Sequence, residues 1–149
     1  MRKIIKVKTD KLFTNITSEV ESLAKSWGKS GIVNIFSKHT TGSIWLTEDE
    51  ILHHVDVRFF LDTLVPKWKD PEGSQKNIKY LHDLISLRQN TPESERINGH
   101  SHLRSMFFQN SENVPVEKGK LILGDWKKIF FVELDPVRNR EVIISFLKM

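Results

Sequence analysis

Short runs rich in valine, isoleucine and phenylalanine recur from one end of this 149-residue chain to the other, and they commit it to a structure built on sheet. Lys3-Ile4-Ile5-Lys6-Val7-Lys8-Thr9 alternates charged and β-branched residues and reads as a strand. A turn near Thr9-Asp10-Lys11 leads to a short second strand over 11–16. Gly31–Phe36 and Ser43–Thr47 are the next two. From Asn113 to Lys148 the chain reads as strands separated by Glu117-Lys118-Gly119, Gly124-Asp125 and Asp135-Pro136, with Ile129–Leu134 and Val142–Leu147 the most apolar.

Helices fill the gaps. Thr17 or Ser18 caps one that runs to about Trp27 with Ile16, Val20, Leu23 and Ala24 on one face, and Gly28 stops it. Glu48, Asp49 and Glu50 suit the positive N-terminus of a second helix reaching Leu64, ended by Pro66. Ile51, Leu52, Val55 and Phe59 are its expected buried face, which leaves His53 and His54 exposed. Residues 67–97 read as mostly loop, with a short helix or strand around Tyr80 in the apolar island Ile78–Leu87. Asn98 opens a short helix through Phe108, or that stretch is extended. The expectation is one α+β domain over 1–149, with a largely antiparallel sheet and a few helices.

The length is enough for one hydrophobic core without staples. The absence of cysteine excludes disulfides, thiolate catalysis and Cys-ligated metal centres. No apolar run approaches the roughly 20 residues that span a bilayer, and the opening residues are too broken by charge for a secretory signal. A soluble, cytoplasmic protein without a membrane partner is expected. The net charge is +4, with eight bases against three acids in residues 1–38 and five acids against one base in 39–62. No Lys/Arg run is interleaved with aromatics, so a small phosphorylated molecule is a better expected partner than nucleic acid.

All six histidines lie between His39 and His102, and grouped imidazoles point to metal ligation or proton transfer near neutral pH. His39-Thr40-Thr41-Gly42-Ser43, at a strand end, is either an anion-binding turn or a hydroxyl-rich structural one. In Asn98-Gly99-His100-Ser101-His102 the two imidazoles share a face on a strand but stand about 200° apart on a helix. Tyr80-Leu81-His82-Asp83 adds a third imidazole and a carboxylate, which completes the ligand count of a catalytic zinc site if the three converge. Gly124-Asp125-Trp126-Lys127-Lys128 reads as a pocket wall with phosphate-binding lysines, or as a β-turn with a packed Trp.

The order of these motifs, together with Glu48, Leu64-Val65-Pro66, Leu103-Arg104-Ser105, Ser111 to Val116, Gly119 and Phe131-Val132-Glu133-Leu134-Asp135, resembles the YjbQ (UPF0047) family over nearly the whole chain. The resemblance implies an α+β fold assembled as a compact homotrimer, with sites lined by the family's histidines. It also implies a secondary thiamine-phosphate synthase activity, a transfer that joins a hydroxymethylpyrimidine diphosphate to a thiazole phosphate and releases pyrophosphate. On that reading the catalytic positions are His39, Thr40, Glu48, His82 and Glu133. Thr41, Ser43, Arg104 and Trp126 bind substrate, and His82, His100 and His102 hold a divalent metal, zinc or magnesium. The alternative is a non-catalytic metal- or anion-binding homotrimer. The chain departs from the family pattern at Thr47, where Asn is usual, at Gln109, where Gly is usual, and at Asp125 and Lys127, which stand where the family has Thr and Gln.

Overall fold

The alternating N-terminal segment is a full strand, β1 (Arg2–Thr9), in the computed structural model, which describes residues 1–67 and 80–148. It is followed by β2 (Phe13–Asn15), α1 (Thr17–Trp27), β3 (Gly31–Ser37), β4 (Gly42–Glu48) and α2 (Ile51–Leu64). A 3₁₀ segment (Leu81–Leu87), α3 (Gly99–Ser105), β5 (Ser111–Glu117), β6 (Lys120–Leu121), β7 (Lys127–Glu133) and β8 (Arg138–Lys148) complete the described chain. The strand pairings are antiparallel, as expected, but they divide into two sheets, β1-β8-β3-β5-β6 and β2-β7-β4. Ile78, in the apolar island, lies outside the described residues.

Alternation places Val33 and Ile35 of β3, Val114 and Val116 of β5, and Val142, Ile144 and Phe146 of β8 on the inner face of the larger sheet. Ile44 of β4 and Ile129 and Phe131 of β7 meet them from the smaller sheet, and Val20 and Ala24 of α1 join the same core. Phe130 and Val132 point the other way, into a second core with Phe13, Phe108 and Leu61 of α2. Strand β7 is therefore buried on both faces, which is why its sequence is continuously apolar where β1 alternates.

Helix α1 matches its expected bounds, but its cap differs. Ile16 occupies the N-cap position, Asn15 Oδ1 accepts the Thr17 N–H at 3.0 Å, and the Thr17 hydroxyl instead accepts the Ile129 N–H at 2.8 Å. Thr17 is thus spent on joining helix to sheet. Gly28 ends the helix in the left-handed region at φ 67°. At Gly31 a Cβ would collide with the Leu147 carbonyl of the neighbouring strand.

The buried face expected for α2 is overturned. Ile51, Leu52, Val55 and Phe59 are 72, 69, 55 and 72% exposed, whereas Leu61 is buried and Val57 packs on the second core. His53 and His54, expected to be solvated, are half-buried against the smaller sheet. The His54 ring lies 4.8 Å from Phe13 and 5.0 Å from Phe130, and His53 lies 5.5 Å from Trp45. The helix is apolar on more than one side, so periodicity alone did not select a face. The aromatic surface of Phe13, Trp45 and Phe130 accepts imidazoles edge-on or tilted. Glu50 fixes the start of the helix by accepting the Leu52 and His53 N–H groups, each at 2.7 Å.

The two sheets are tied at one end by an ion pair. Glu133, at the end of β7 and fully buried, accepts Arg140 Nε and Nη2 at 2.6 and 2.7 Å, the Thr9 hydroxyl at 2.8 Å and the Asp135 N–H at 2.9 Å. Arg140 also donates to Thr41 Oγ1 at 2.9 Å. Removing one partner strands the other charge without water. Arg140→Met is expected to lower the unfolding free energy by about 3–5 kcal/mol in urea titration. Lys38→Met, which breaks the solvent-exposed Lys38–Glu141 pair, is expected to lower it by no more than about 1 kcal/mol.

Candidate functional site

Beyond Glu133 the chain turns through Leu134 to Asp135, and this short segment organises the histidines around it. Asp135 accepts Arg138 Nη2 at 2.5 Å, Asn98 Nδ2 at 3.1 Å and Arg96 Nη1 at 3.5 Å. Burial alone would raise its carboxyl, but the hydrogen bonds from Arg138 and Asn98 and the charges of Arg138 and Arg96 hold it below the usual range. Asn98 spends its side chain on this bond and does not cap α3. The Gly99 N–H donates instead to Asp83 Oδ1 at 2.8 Å, and a Cβ at residue 99 would lie only 2.8 Å from that same oxygen, so the close approach demands glycine. Segment 98–105 is helical, which decides between the two readings of His100 and His102.

On that helix the two imidazoles separate. His100 is 7% exposed, and its Nε2 lies 3.2 Å from Ser101 Oγ. The Ser101 hydroxyl gives its single proton to the Leu134 carbonyl at 2.5 Å, so His100 Nε2 must carry the proton of that contact. The neutral ring then holds its lone pair on Nδ1. Burial, followed by the positive charges of Arg104 and Lys67, lowers the His100 pKa and keeps the ring neutral near pH 7. His102 stacks with His82 at 4.5 Å between ring centroids, and burial followed by the neighbouring His82 lowers its pKa too. Among the described residues His82 Nδ1 is buried without a partner.

His100 opens on a cleft of about 300 Å³, lined also by Asp10, Lys11, Arg58, Asp62, Lys67, Arg104 and the Glu133–Pro136 segment. Its acids are largely neutralised: Asp62 by Arg104 at 2.7 Å, Glu133 by Arg140, and Asp135 by Arg138 and Arg96. Arg104 also donates through Nε to the Val65 carbonyl at 2.8 Å, which anchors α3 to the end of α2. The remaining cations make the cleft receptive to an anion.

The other sequence candidates are distributed around this centre. His39 lies half-buried on the far side of Arg140, and its Nε2 accepts the Glu141 N–H at 3.1 Å. Burial, then Arg140 and Lys38, lower its pKa. Thr40 faces solvent, Thr41 is buried against Arg140, and Ser43 is fully buried with its hydroxyl unpartnered. Neither the Thr41 nor the Ser43 hydroxyl is open to a ligand. Glu48 and Trp126 stand at the opposite end of the smaller sheet, where Glu48 pairs with Lys127 in the β4–β7 register. That is about 20 Å along β7 from Glu133. Trp126 is 81% exposed and not packed, on a turn closed by Lys127 N–H to the Gly124 carbonyl at 2.9 Å. Within one chain the structure thus gathers His100, Arg104 and Glu133 at the cleft and stacks His82 on His102 apart from it, while Glu48 and Trp126 join neither group. Asp135, Asn98 and Arg140 were missed as site residues, and Asp83, read as a carboxylate beside His82, binds the Gly99 N–H. The inward alternation of β8 marks Arg140 as a buried charge, and that was the one signal available.

A divalent metal needs three protein donors for a catalytic site. Among the described residues no three His, Asp or Glu side chains of one chain converge, so His82 and His102 offer a pair and His100 faces elsewhere.

The folded forms of His39, His100 and His102 bind protons more weakly than the unfolded chain, whose histidines titrate near 6.5. As pH falls below about 6.5 the unfolded state takes up more protons, so stability falls, and above that value their contribution is constant. The urea midpoint is expected to drop between pH 7 and 5.5, and less steeply in His100→Gln.

A family model for the UPF0047 protein YjbQ-like family matches residues 3–149. A UPF0047 protein of Methanothermobacter thermautotrophicus is 35% identical over 132 residues, 88% of this chain and 79% of that relative. One from Archaeoglobus fulgidus is 34% identical, covering 89% of each. Crystal structures of a hypothetical protein from Aeropyrum pernix K1 and of a YbjQ-like protein of unknown function from Sulfolobus solfataricus P2 each superpose with a TM-score of 0.80 at 27% identity. They cover the whole of this chain and 99% and 97% of theirs. The shared fold, the ordered motifs and the length of the match together make this chain a member of the YjbQ-like UPF0047 family.

Proposed function

We propose that the His100 cleft binds a small phosphorylated molecule, and that the protein is a transferase of the thiamine-phosphate synthase type. The observation that carries this reading is a buried, neutral imidazole with its lone pair on Nδ1, set beside Lys11, Arg58, Lys67 and Arg104. In the transfer, the bond between the pyrimidine methylene carbon and the diphosphate oxygen breaks, and its electron pair leaves with pyrophosphate. The thiazole nitrogen supplies the pair for the new C–N bond. No proton need move, so the protein's task is to hold two phosphorylated partners and stabilise the departing charge. The cations of the cleft suit the pyrophosphate, and the Nδ1 lone pair of His100 accepts a hydrogen bond from the reacting ring. A metal, if bound at His82 and His102, would add charge stabilisation but needs a further donor. Asp125 and Lys127 lie at the far end of the smaller sheet, so their charges do not enter this cleft within one chain. With the two thiamine precursors, purified protein is expected to release pyrophosphate above background, and His100→Ala, by loosening the position of the reacting ring, to lose about 100-fold in kcat/KM. Phosphate binding without any turnover by the unaltered protein would favour the non-catalytic anion-binding reading.

We further infer a homotrimer. Leu52, Phe59, Phe60 and Leu64 of α2 continue into Met106 and Phe107, and Phe60 meets Phe107 at 5.6 Å. A contiguous run of exposed apolar side chains marks an interaction surface. Light scattering is expected to give three times the 17.4 kDa chain mass, and Phe59→Glu is expected to shift it toward the single chain.

A further inference from the structure

The His100 cleft does not end at Arg58. A second groove, of about 390 Å³, continues from it along the seam between β2 and α2, and the two share Lys11, Leu12 and Arg58. Its floor is aromatic. Phe13, His54 and Phe130 form a cluster in which His54 is tilted 38° to Phe13 and stands edge-on to Phe130. Ile51 and Val55, on the same helix as His54, line the α2 side of the groove and are 72 and 55% exposed. At the far end stands Asp49, one carboxylate oxygen taken by Asn15 Nδ2 at 2.8 Å.

The charges are arranged to match. Among the described residues neither Lys11 nor Arg58 is in an ion pair; of the cleft's acids Asp62, Glu133 and Asp135 are each held by arginine, and Asp10 alone is left to set against the two cations. The junction of the two compartments is therefore cationic, with an aromatic and aliphatic slot on one side and the buried imidazole of His100 on the other. Apolar walls with a few convergent polar groups, in a volume of a few hundred Å³, are the usual make-up of a small-molecule site.

From these placements we propose that the β2–α2 groove is a ring-binding compartment for a planar aromatic molecule that carries a phosphate. The ring lies on His54 and Phe13, flanked by Ile51 and Val55. Its phosphate is held at Lys11 and Arg58, and Asp49 accepts a hydrogen bond from a ring substituent at the far end. The proposal rests on the anion-binding reading of the adjoining cleft for the phosphate alone. The ring compartment stands on the groove's own residues.

Calorimetry with 1-naphthyl phosphate and with inorganic phosphate tests it. The naphthyl ester is expected to bind at least tenfold more tightly and to shift the His54 ring resonances by its ring current. Val55→Trp, a change at an exposed helical position that fills the slot, is expected to abolish the tenfold preference and leave inorganic phosphate affinity unchanged. Ile51→Trp does the same from the other end of the wall, should Val55→Trp fail to fold. Arg58→Ala weakens both ligands. Equal affinities for the two probes, or a preference that survives both tryptophans, would overturn the proposal. A protein that shows the preference but releases no pyrophosphate would sink the transferase reading and leave the ring compartment standing. Turnover without the preference would do the reverse.

Discussion

A carboxylate with no access to water, Glu133, is the constraint around which this fold closes. It survives in the interior only because Arg140 meets both of its oxygens, and the Thr9 hydroxyl and the Asp135 N–H complete the shell. Those four donors come from β1, β8 and the turn after β7, so satisfying one charge fixes three elements of two sheets in a single arrangement. Replacing the pair by hydrocarbon would cost little in principle. What hydrocarbon would not reproduce is direction. The bond from Asp135 to Glu133 sets the turn that places Asp135 against Asn98, and Asn98 begins the helix that carries His100. The ion pair therefore positions the imidazole through two intermediates without touching it.

Along the smaller sheet, β4 and β7 run antiparallel, and their ends differ in character. One end carries the hydroxyl turn after His39, the buried acids and α3. The other carries Glu48, Lys127 and the exposed Trp126. The register Gly42 to Glu133 and Glu48 to Lys127 leaves no freedom to bring these together in one chain. The changes at Asp125 and Lys127 thus belong to a surface separate from the cleft, and their effect on a ligand there would have to pass through another copy or through the sheet.

Much of this was legible in residue order. The alternation of β1 and the uninterrupted apolar run of β7 both announce strands, and the difference between them reports whether one face or two are buried. Asp135-Pro136 was readable as a break, but not as the junction where the Asp135 carboxylate gathers three hydrogen bonds, because those partners arrive from 37 and 39 residues upstream and three downstream. Helix α2 misled for a different reason. With apolar residues on several sides it carries no unique stripe, and its inner face was chosen by the rings of Phe13, Trp45 and Phe130 across the seam. His100 and His102 were undecided because two residues apart means one face on a strand and opposite faces on a helix. The decision lay in Asp83 and Asp135, which bind the Gly99 N–H and the Asn98 side chain.

The neutral state of the buried histidines and the cationic lining of the cleft are two sides of one electrostatic balance. Burial next to Arg104 and Lys67 makes a proton on His100 costly, and the same charges make an anion welcome. An anion seated in the cleft reverses part of that cost, so ligand and proton must favour each other: binding raises the imidazole pKa, and acidification strengthens binding by the same factor. The empty fold, however, loses stability as its histidines protonate. Below about pH 6.5 the unliganded protein weakens as its histidines protonate, and an anion of fixed charge in the cleft offsets part of that loss. A cleft that bound anions through arginine and lysine alone would lack this coupling, because neither titrates near neutrality. Placing the histidine where the fold must pay to charge it thus links phosphate occupancy to protonation in a range that the other groups of the cleft do not reach.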